Sequence, residues 1–469
     1  MKKPARTARQ RARQPGSAGF RYEIYFTSEI DRVVSAERSI RQETHVEDVV
    51  VIGAGVVGTA AAFNLAKSGF RMTLVDTAPP GMGCSFGNAG LIAVDHVAPL
   101  ASPDTLSGVP RMLLRSDSPL RLHPCSVPRM TPWMVEFLRQ SRQRNFERNT
   151  AALASIITRA AAAWHRLLDQ HIARDLFRDI GSLYVFEKPV ARNAEHRALS
   201  LLDHYGVQYR NLTAHEVRRE FLPTLTPHIS HARYFPGMAS VANPHQVVQG
   251  LFDAALNAGA RFRLASVDGI KPSSGGKIEL LINGERTLAD KVLIAAGARS
   301  RQFLEALGSN VPLTPERGYH VELSQPRTDL LKVPVSFMER GFTCNPMADG
   351  IRLAGTVELG AGSEPDWKRA DILAAHFREL FPEGAIPEVA SRWHGDRPTL
   401  PDYLPMIGEL PHARNVFVAT GHQHLGLTLG PLTGELVSQL IARATPEVDL
   451  LPFRVDRFSR GKDRSHRRI

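Results

Sequence analysis

The stretch from Asp48 to Asp76, DVVVIGAGVVGTAAAFNLAKSGFRMTLVD, leaves few folds open to this chain. Asp48 to Ile52 is a short, β-branched apolar run, the pattern of a strand buried on both faces, and Gly53, Gly55 and Gly58 follow it at once. Val56 to Ser68 reads as a helix that is apolar all round. Gly69 stands where a C-terminal cap belongs, and Arg71 to Val75 reads as a second strand ending at Asp76. The unit closes in about thirty residues, the length of a dinucleotide-binding βαβ. Gly53 allows the tight turn, Gly55 lets a pyrophosphate approach the backbone, and Gly58 lets the helix pack closely on the strand. The predicted cofactor contacts at this turn are Gly53, Ala54, Gly55, Val57 and Gly58, with Asp76 accepting hydrogen bonds from the adenosine ribose. Such glycines also occur in plain turns; the strand before, the helix after and the acid beyond favour the dinucleotide.

At 469 residues the chain can bury at least two cores, and 43% hydrophobic with 22% charged residues is ordinary globular usage. The net charge of +11 looks like a nucleic-acid signal until it is located. Residues 1–22 carry +7 and residues 454–469 carry +5, so the body between them is near neutral. The ends read as solvated basic tails, with contact to anionic lipid or RNA left open. Cys84, Cys125 and Cys344 form no CxxC pair, which suggests neither a disulfide framework nor a metal site and fits a reducing cytoplasm. The most apolar window, Val49 to Ala66, contains the glycine pattern, so no spanning helix is predicted.

Beyond Asp76, the segment TAPPGMGCSFGNAGLIA forms a loop whose Ser85 could face a ligand. Ala151 to Ile172 has helical periodicity, Gly181 to Glu187 alternates like a strand, and Asn243 with Pro244 starts a helix that Gly259 stops. Ala260 to Val267, Ile278 to Ile282 and Lys291 to Ala295 read as strands, and Gly297 ends the last as Gly53 ends the first. Residues 311–394 alternate like an antiparallel sheet with one covered face. After the strand Val416 to Ala419 and the turn TGHQHLGLTLGP, a helix is predicted to begin at Pro431.

Taken together, DVVVIGAGVVG with Asp76, CSFGNAGLI, LIAAGARS, GDRPTLPDYLPMIG and TGHQHLGLTLGP resemble the FAD-dependent amine oxidoreductases of the D-amino acid oxidase superfamily. Within it the likeness is greatest to bacterial D-amino acid and D-hydroxyproline dehydrogenases, and it covers roughly residues 46–455. The resemblance implies an α/β fold in which a discontinuous Rossmann-type, glutathione-reductase-like FAD domain carries an inserted α+β substrate domain with a mixed antiparallel sheet. The expected segments are 46–97, 151–175, 236–310 and 395–455 for the FAD domain and 98–150, 176–235 and 311–394 for the substrate domain. Residues 1–45 are expected as a disordered basic extension and 456–469 as a basic tail.

The resemblance also implies roles. Ser85 would lie at the flavin, Val267 would meet the adenine through its backbone, and Gly297, Gly421, His422 and Gly426 would complete the FAD site. Arg397, in GDRP, stands where relatives carry the arginine that grips the substrate carboxylate; its bland alternative is an ion pair with Asp396 or Asp402. Tyr319 is the candidate roof residue over the substrate, and His424 a candidate pocket residue, although relatives often carry glycine or threonine in that turn.

The expected reaction is oxidation of a D-amino acid, with D-proline and D-hydroxyproline among the candidates. Hydride passes from Cα to FAD, the imino acid hydrolyses to a 2-oxo acid, and electrons go on to a quinone or carrier protein. An oxidase acting with O2 on glycine, sarcosine or another secondary amine is the alternative within the fold. A flavin-containing RNA-modifying or RNA-binding protein is the alternative of another class, against which the neutral body speaks. The expected location is the cytoplasm, with peripheral association at the inner membrane face left open.

Overall fold

Val49 to Ile52 have no polar side chain to hydrate, and they form the middle of a six-stranded sheet. In the computed structural model, which describes residues 46–113, 118–225, 229–324, 330–382 and 388–459, the order across this sheet is 261–264, 71–76, 48–52, 291–294, 413–420 and 406–410. The first five strands are parallel and Met406–Leu410 runs antiparallel at the edge. Strand alternation sends Val49, Val51, Leu293 and Phe417 to one face, against helices Val56–Lys67, Pro244–Asn257 and Gly426–Ile441. Val50, Ile52, Val75 and Ile294 point the other way, onto a three-stranded antiparallel sheet of residues 267–272, 278–282 and 285–289. Helix Gly426–Ile441 lies close on Val56–Lys67 because its small residues permit it: a Cβ at Gly434 would stand 2.7 Å from the Ala60 carbonyl carbon.

The chain leaves this body to build a second, mixed sheet of nine strands. Its edge is Val389–Thr399, followed by Thr314–Ser324, Gly350–Leu359 and Phe342–Pro346. Val335–Phe337 continues it by pairing parallel to Ser182–Phe186, and His231–Phe235 and Arg210–Thr213 complete the path. One face is covered by helix Lys368–Leu380 through Ala370, Leu373 and Phe377, which pack on Tyr319, Val321 and Leu323. Helix Gln143–Asp169 ties to the first body, its Trp164 Nε1 donating to the Thr428 carbonyl at 3.2 Å.

Three expectations are corrected. The last long helix starts at Gly426, not Pro431; the proline lies inside it, where it removes a single helical N–H and leaves the helix otherwise continuous. Ala260 to Val267 is two strands, Arg261–Leu264 and Val267–Pro272, because the chain crosses there from the parallel sheet to the three-stranded one. The basic tail does not begin at 456: Val455–Phe458 is a helical turn, and Arg457 Nε donates to Asp402 Oδ2 at 2.7 Å. The basic stretches 1–45 and 460–469 lie outside the described residues. Among the described residues no helix is long and apolar enough to cross a membrane.

Candidate active site

The glycine turn is built by exclusion of side chains. Gly53 has φ +111°, and a Cβ there would stand 2.5 Å from the Ala295 carbonyl oxygen. A Cβ at Gly58 would stand 1.9 Å from the Gly53 oxygen, so strand and helix meet with no room between them. At Gly55 the space is open except for Ser85 Oγ at 3.3 Å. Asp76 is held in place by its own turn: Oδ2 accepts from Ala54 N at 2.7 Å and Oδ1 from Ala78 N at 3.1 Å. Ser85 Oγ accepts from Val56 N at 3.0 Å, at the N-terminus of the helix.

These residues open onto one cavity of about 820 Å³. Gly53, Gly55, Val57, Asp76 and Ser85 line one part of it. Val267, Gly297, His422 and Gly426 line others, Gly297 with φ +56° and its carbonyl accepting from Thr420 Oγ1 at 2.9 Å. Ala54, Gly58 and Gly421 stand behind the lining; Gly421, at φ +82°, makes the turn that presents His422.

The roof comes from two antiparallel strands whose register sets Glu316 opposite Arg397, Gly318 opposite Gly395 and His320 opposite Trp393. These six share one face. The facing glycines leave a slot that two large side chains fill. A Cβ at Gly395 would meet the Trp393 ring at 2.1 Å, and a Cβ at Gly318 would meet Arg397 Nη2 at 2.1 Å. Trp393 stacks on His320, ring centres 5.2 Å apart, and covers Gly87 of the loop that carries Ser85. His320 Nδ1 donates to the Gly87 carbonyl at 3.1 Å, and burial with the nearby Arg352 charge pushes its pKa down to about 3.

Arg397 pairs with neither Asp396 nor Asp402, which are taken by Arg317 and Arg457. Its hydrogen bond among the described residues runs from Nη1 to Glu316 Oε1 at 3.2 Å. Its charge reaches Cys84 and His424. Burial pushes the Cys84 thiol up to about 12, and the thiol donates to the Asp396 carbonyl at 2.9 Å. His424 sits edge-on to His96, ring centres 5.2 Å apart, and burial, the His96 ring and Arg397 push it well below the ordinary histidine range. His422 donates or accepts with Thr433 Oγ1 at 3.0 Å, and burial lowers it to about 4.

Tyr319 is not a roof residue over the cavity. Strand alternation puts it on the opposite face from Glu316 and Arg397, packed with helix Lys368–Leu380. Its hydroxyl donates to Glu358 Oε2 at 2.6 Å and accepts from Asp366 N at 2.9 Å, which leaves it nothing for a substrate.

A family model described as FAD dependent oxidoreductase, DAO, matches residues 48–440. The chain belongs to this family. It is 32% identical over 418 residues to a D-amino-acid oxidase of Bradyrhizobium diazoefficiens, covering 87% of this chain and 98% of the relative. It is 29% identical to a D-amino acid dehydrogenase of Vibrio vulnificus, over 84% of this chain and 95% of that one. Among solved structures, glycine oxidase from Geobacillus kaustophilus matches with TM-score 0.68 and 25% identity, over 88% of this chain and 98% of its own.

As a DAO-family enzyme the protein binds FAD, and its residues fit that group. The glycine turn leaves an approach at Gly55 bordered only by Ser85 Oγ, and past Val56, whose N–H goes to that oxygen, the helix N-terminus has no side-chain cap of its own. A buried polar atom without a partner among the described residues, Gln423 Oε1, belongs to a residue lining the same cavity. The sequence reading missed Trp393 and Gln423, which line the cavity, and His320, on which Trp393 stacks. His320 and Gln423 stood beside residues that it did single out, but only the strand register and the turn geometry show that His320 backs Trp393 and that Gln423 lines the cavity.

Proposed function

We propose that this FAD-dependent oxidoreductase is a D-amino acid dehydrogenase that passes electrons to a quinone or carrier. The observation that carries the reading is Arg397. Its guanidinium is tied at Nη1 by Glu316 and makes no other hydrogen bond among the described residues, so its remaining N–H groups are available to a carboxylate. It shares a sheet face with Trp393, which lines the cavity. The curated relatives' names, D-amino-acid oxidase and D-amino acid dehydrogenase, support the same substrate class.

Bound FAD supplies an acceptor for the hydride on the substrate Cα. Arg397 takes the carboxylate by two parallel bonds, which fixes where Cα lies. His424, held neutral by its surroundings, would accept a hydrogen bond from the substrate's neutral amine, whose ammonium proton has first been lost to water. Trp393 and His320 close the roof and keep water from the reacting centre. Cys84 stays protonated and hydrogen-bonded, so it does not compete as a nucleophile. The helix from Gly426 turns its positive end to the cavity, where it would favour negative charge on a bound flavin.

Arg397→Ala should lower kcat/KM for D-amino acids by roughly 30-fold to several thousandfold, the equivalent of about 2 to 5 kcal/mol, with unchanged flavin content. Arg397→Lys should do less harm, and an amine without a carboxylate should be little affected. Equal loss on both substrate kinds would refute the grip. Turnover with an artificial acceptor but negligible O2 consumption is expected; rapid O2 uptake would instead favour an oxidase, the activity named for the Bradyrhizobium relative.

A further inference from the structure

Glu316 is a carboxylate in an unusual position. It is 2% exposed, on the same sheet face as Arg397 and directly across the strand pair from it. Three side chains satisfy it. Oε1 accepts from Arg397 Nη1 at 3.2 Å, and Oε2 accepts from Thr399 Oγ1 at 3.3 Å and from the Tyr403 hydroxyl at 3.1 Å. Tyr403 is itself buried, with φ +56°, so the carboxylate is fixed from behind by a rigid support. The guanidinium it holds lies flat over Gly318, where there is no side chain to confine it.

We infer that Glu316 is a positioning residue for substrate recognition, aiming Arg397 so that its unbonded edge meets the substrate carboxylate. This rests on the reading of Arg397 as the carboxylate grip. Two consequences of removing the Glu316 charge oppose each other. An uncompensated guanidinium attracts an anion more strongly, but an unanchored one must be ordered each time substrate binds. The second effect wins. The Arg397 side chain is 23% exposed, so its long-range attraction is screened, whereas a two-point bond fails when its plane is turned.

The test titrates the FAD-loaded enzyme with benzoate, a carboxylate without an amine, and follows the flavin spectrum alongside steady-state kinetics. Glu316→Gln should weaken benzoate at least 10-fold and raise the amino acid KM by a similar factor. Its kcat should stay within threefold and its flavin content should not change. Tyr403→Phe, which removes one of the donors that hold Glu316, should weaken benzoate two- to fivefold and serves if Glu316→Gln does not fold. Unchanged or tighter benzoate binding in these variants overturns the inference. Arg397→Lys on the same titration separates the two ideas: no effect there sinks the grip itself, while a loss there with none at Glu316 sinks only the positioning role.

Discussion

The two walls of the cavity are made by different means. The floor at Gly53 and Gly58 is backbone on backbone, with contacts that no side chain could relieve, and Gly55 between them is left open but for Ser85 Oγ. The roof is side chain on side chain: Trp393, His320, Arg397 and Glu316 interlock across two paired strands. A wall of backbone tolerates no added atom. A wall of side chains can be retuned one residue at a time, whereas a wall of backbone keeps one shape.

That contrast can be broken by mutation. Gly58→Ala should be worst, because its Cβ would meet a carbonyl oxygen at 1.9 Å with no flexible partner to yield. The expected cost is about 3 kcal/mol or more, read as flavin-free protein with a lower Tm. Loss of the guanidinium at Arg397 comes next, with the cofactor retained. Gly318→Ala is the milder probe of the roof: its Cβ collides with the far end of Arg397, which can swing aside. We expect normal flavin content and a KM raised about 10-fold, in line with ~1.4 kcal/mol of lost alignment. A flavin-free Gly318→Ala protein would erase the distinction between floor and roof.

The last expected effect, no larger per histidine than that of Gly318→Ala, is on pH stability. His320 and His422 titrate near 3 and 4 in the folded protein against 6.5 ordinarily, so between those values the unfolded chain binds more protons. Their contribution is therefore intact above pH 6.5 and falls as the medium becomes more acid. At pH 5.5 each should cost about 1 to 1.5 kcal/mol relative to pH 8. Urea midpoints that stay flat from pH 7 to pH 5 would contradict it, and a slope halved in His320→Phe would assign half of it to the roof.

The floor was legible in the sequence because its constraints are local. Glycine spacing, β-branched runs and the acid at 76 lie within one unit, and Asn243 caps its helix as its side chain demands, accepting from Gln246 N at 3.1 Å. The roof was not, because its logic is register. Nothing local in TPERGYH tells that Glu316, Gly318 and His320 share the face of Arg397 and Trp393 while Tyr319 lies on the other; that follows from pairing with a strand some eighty residues on. Arg397 was found only through resemblance, and Glu316 was missed because a lone acid carries no motif. Pro431 misled for the opposite reason: a strong local signal for a helix start was overridden by the packing of Gly430 and Gly434 on the first helix.

The fifth parallel strand, Ala413–Thr420, has a consequence for how the molecule comes into being. It pairs with Lys291–Ile294, and everything between them must be synthesised before that pairing exists. At ordinary translation rates of 5–20 residues per second this interval lasts roughly 6 to 24 s. During it the buried row Val292, Leu293 and Ile294 presents an open, apolar edge, the kind that recruits foreign strands. Thr420, His422 and Gly426, which complete the cavity, leave the ribosome later still. The nascent chain thus carries its glycine turn long before it can enclose anything, and its most vulnerable moment falls between making the first half of the site and receiving the last.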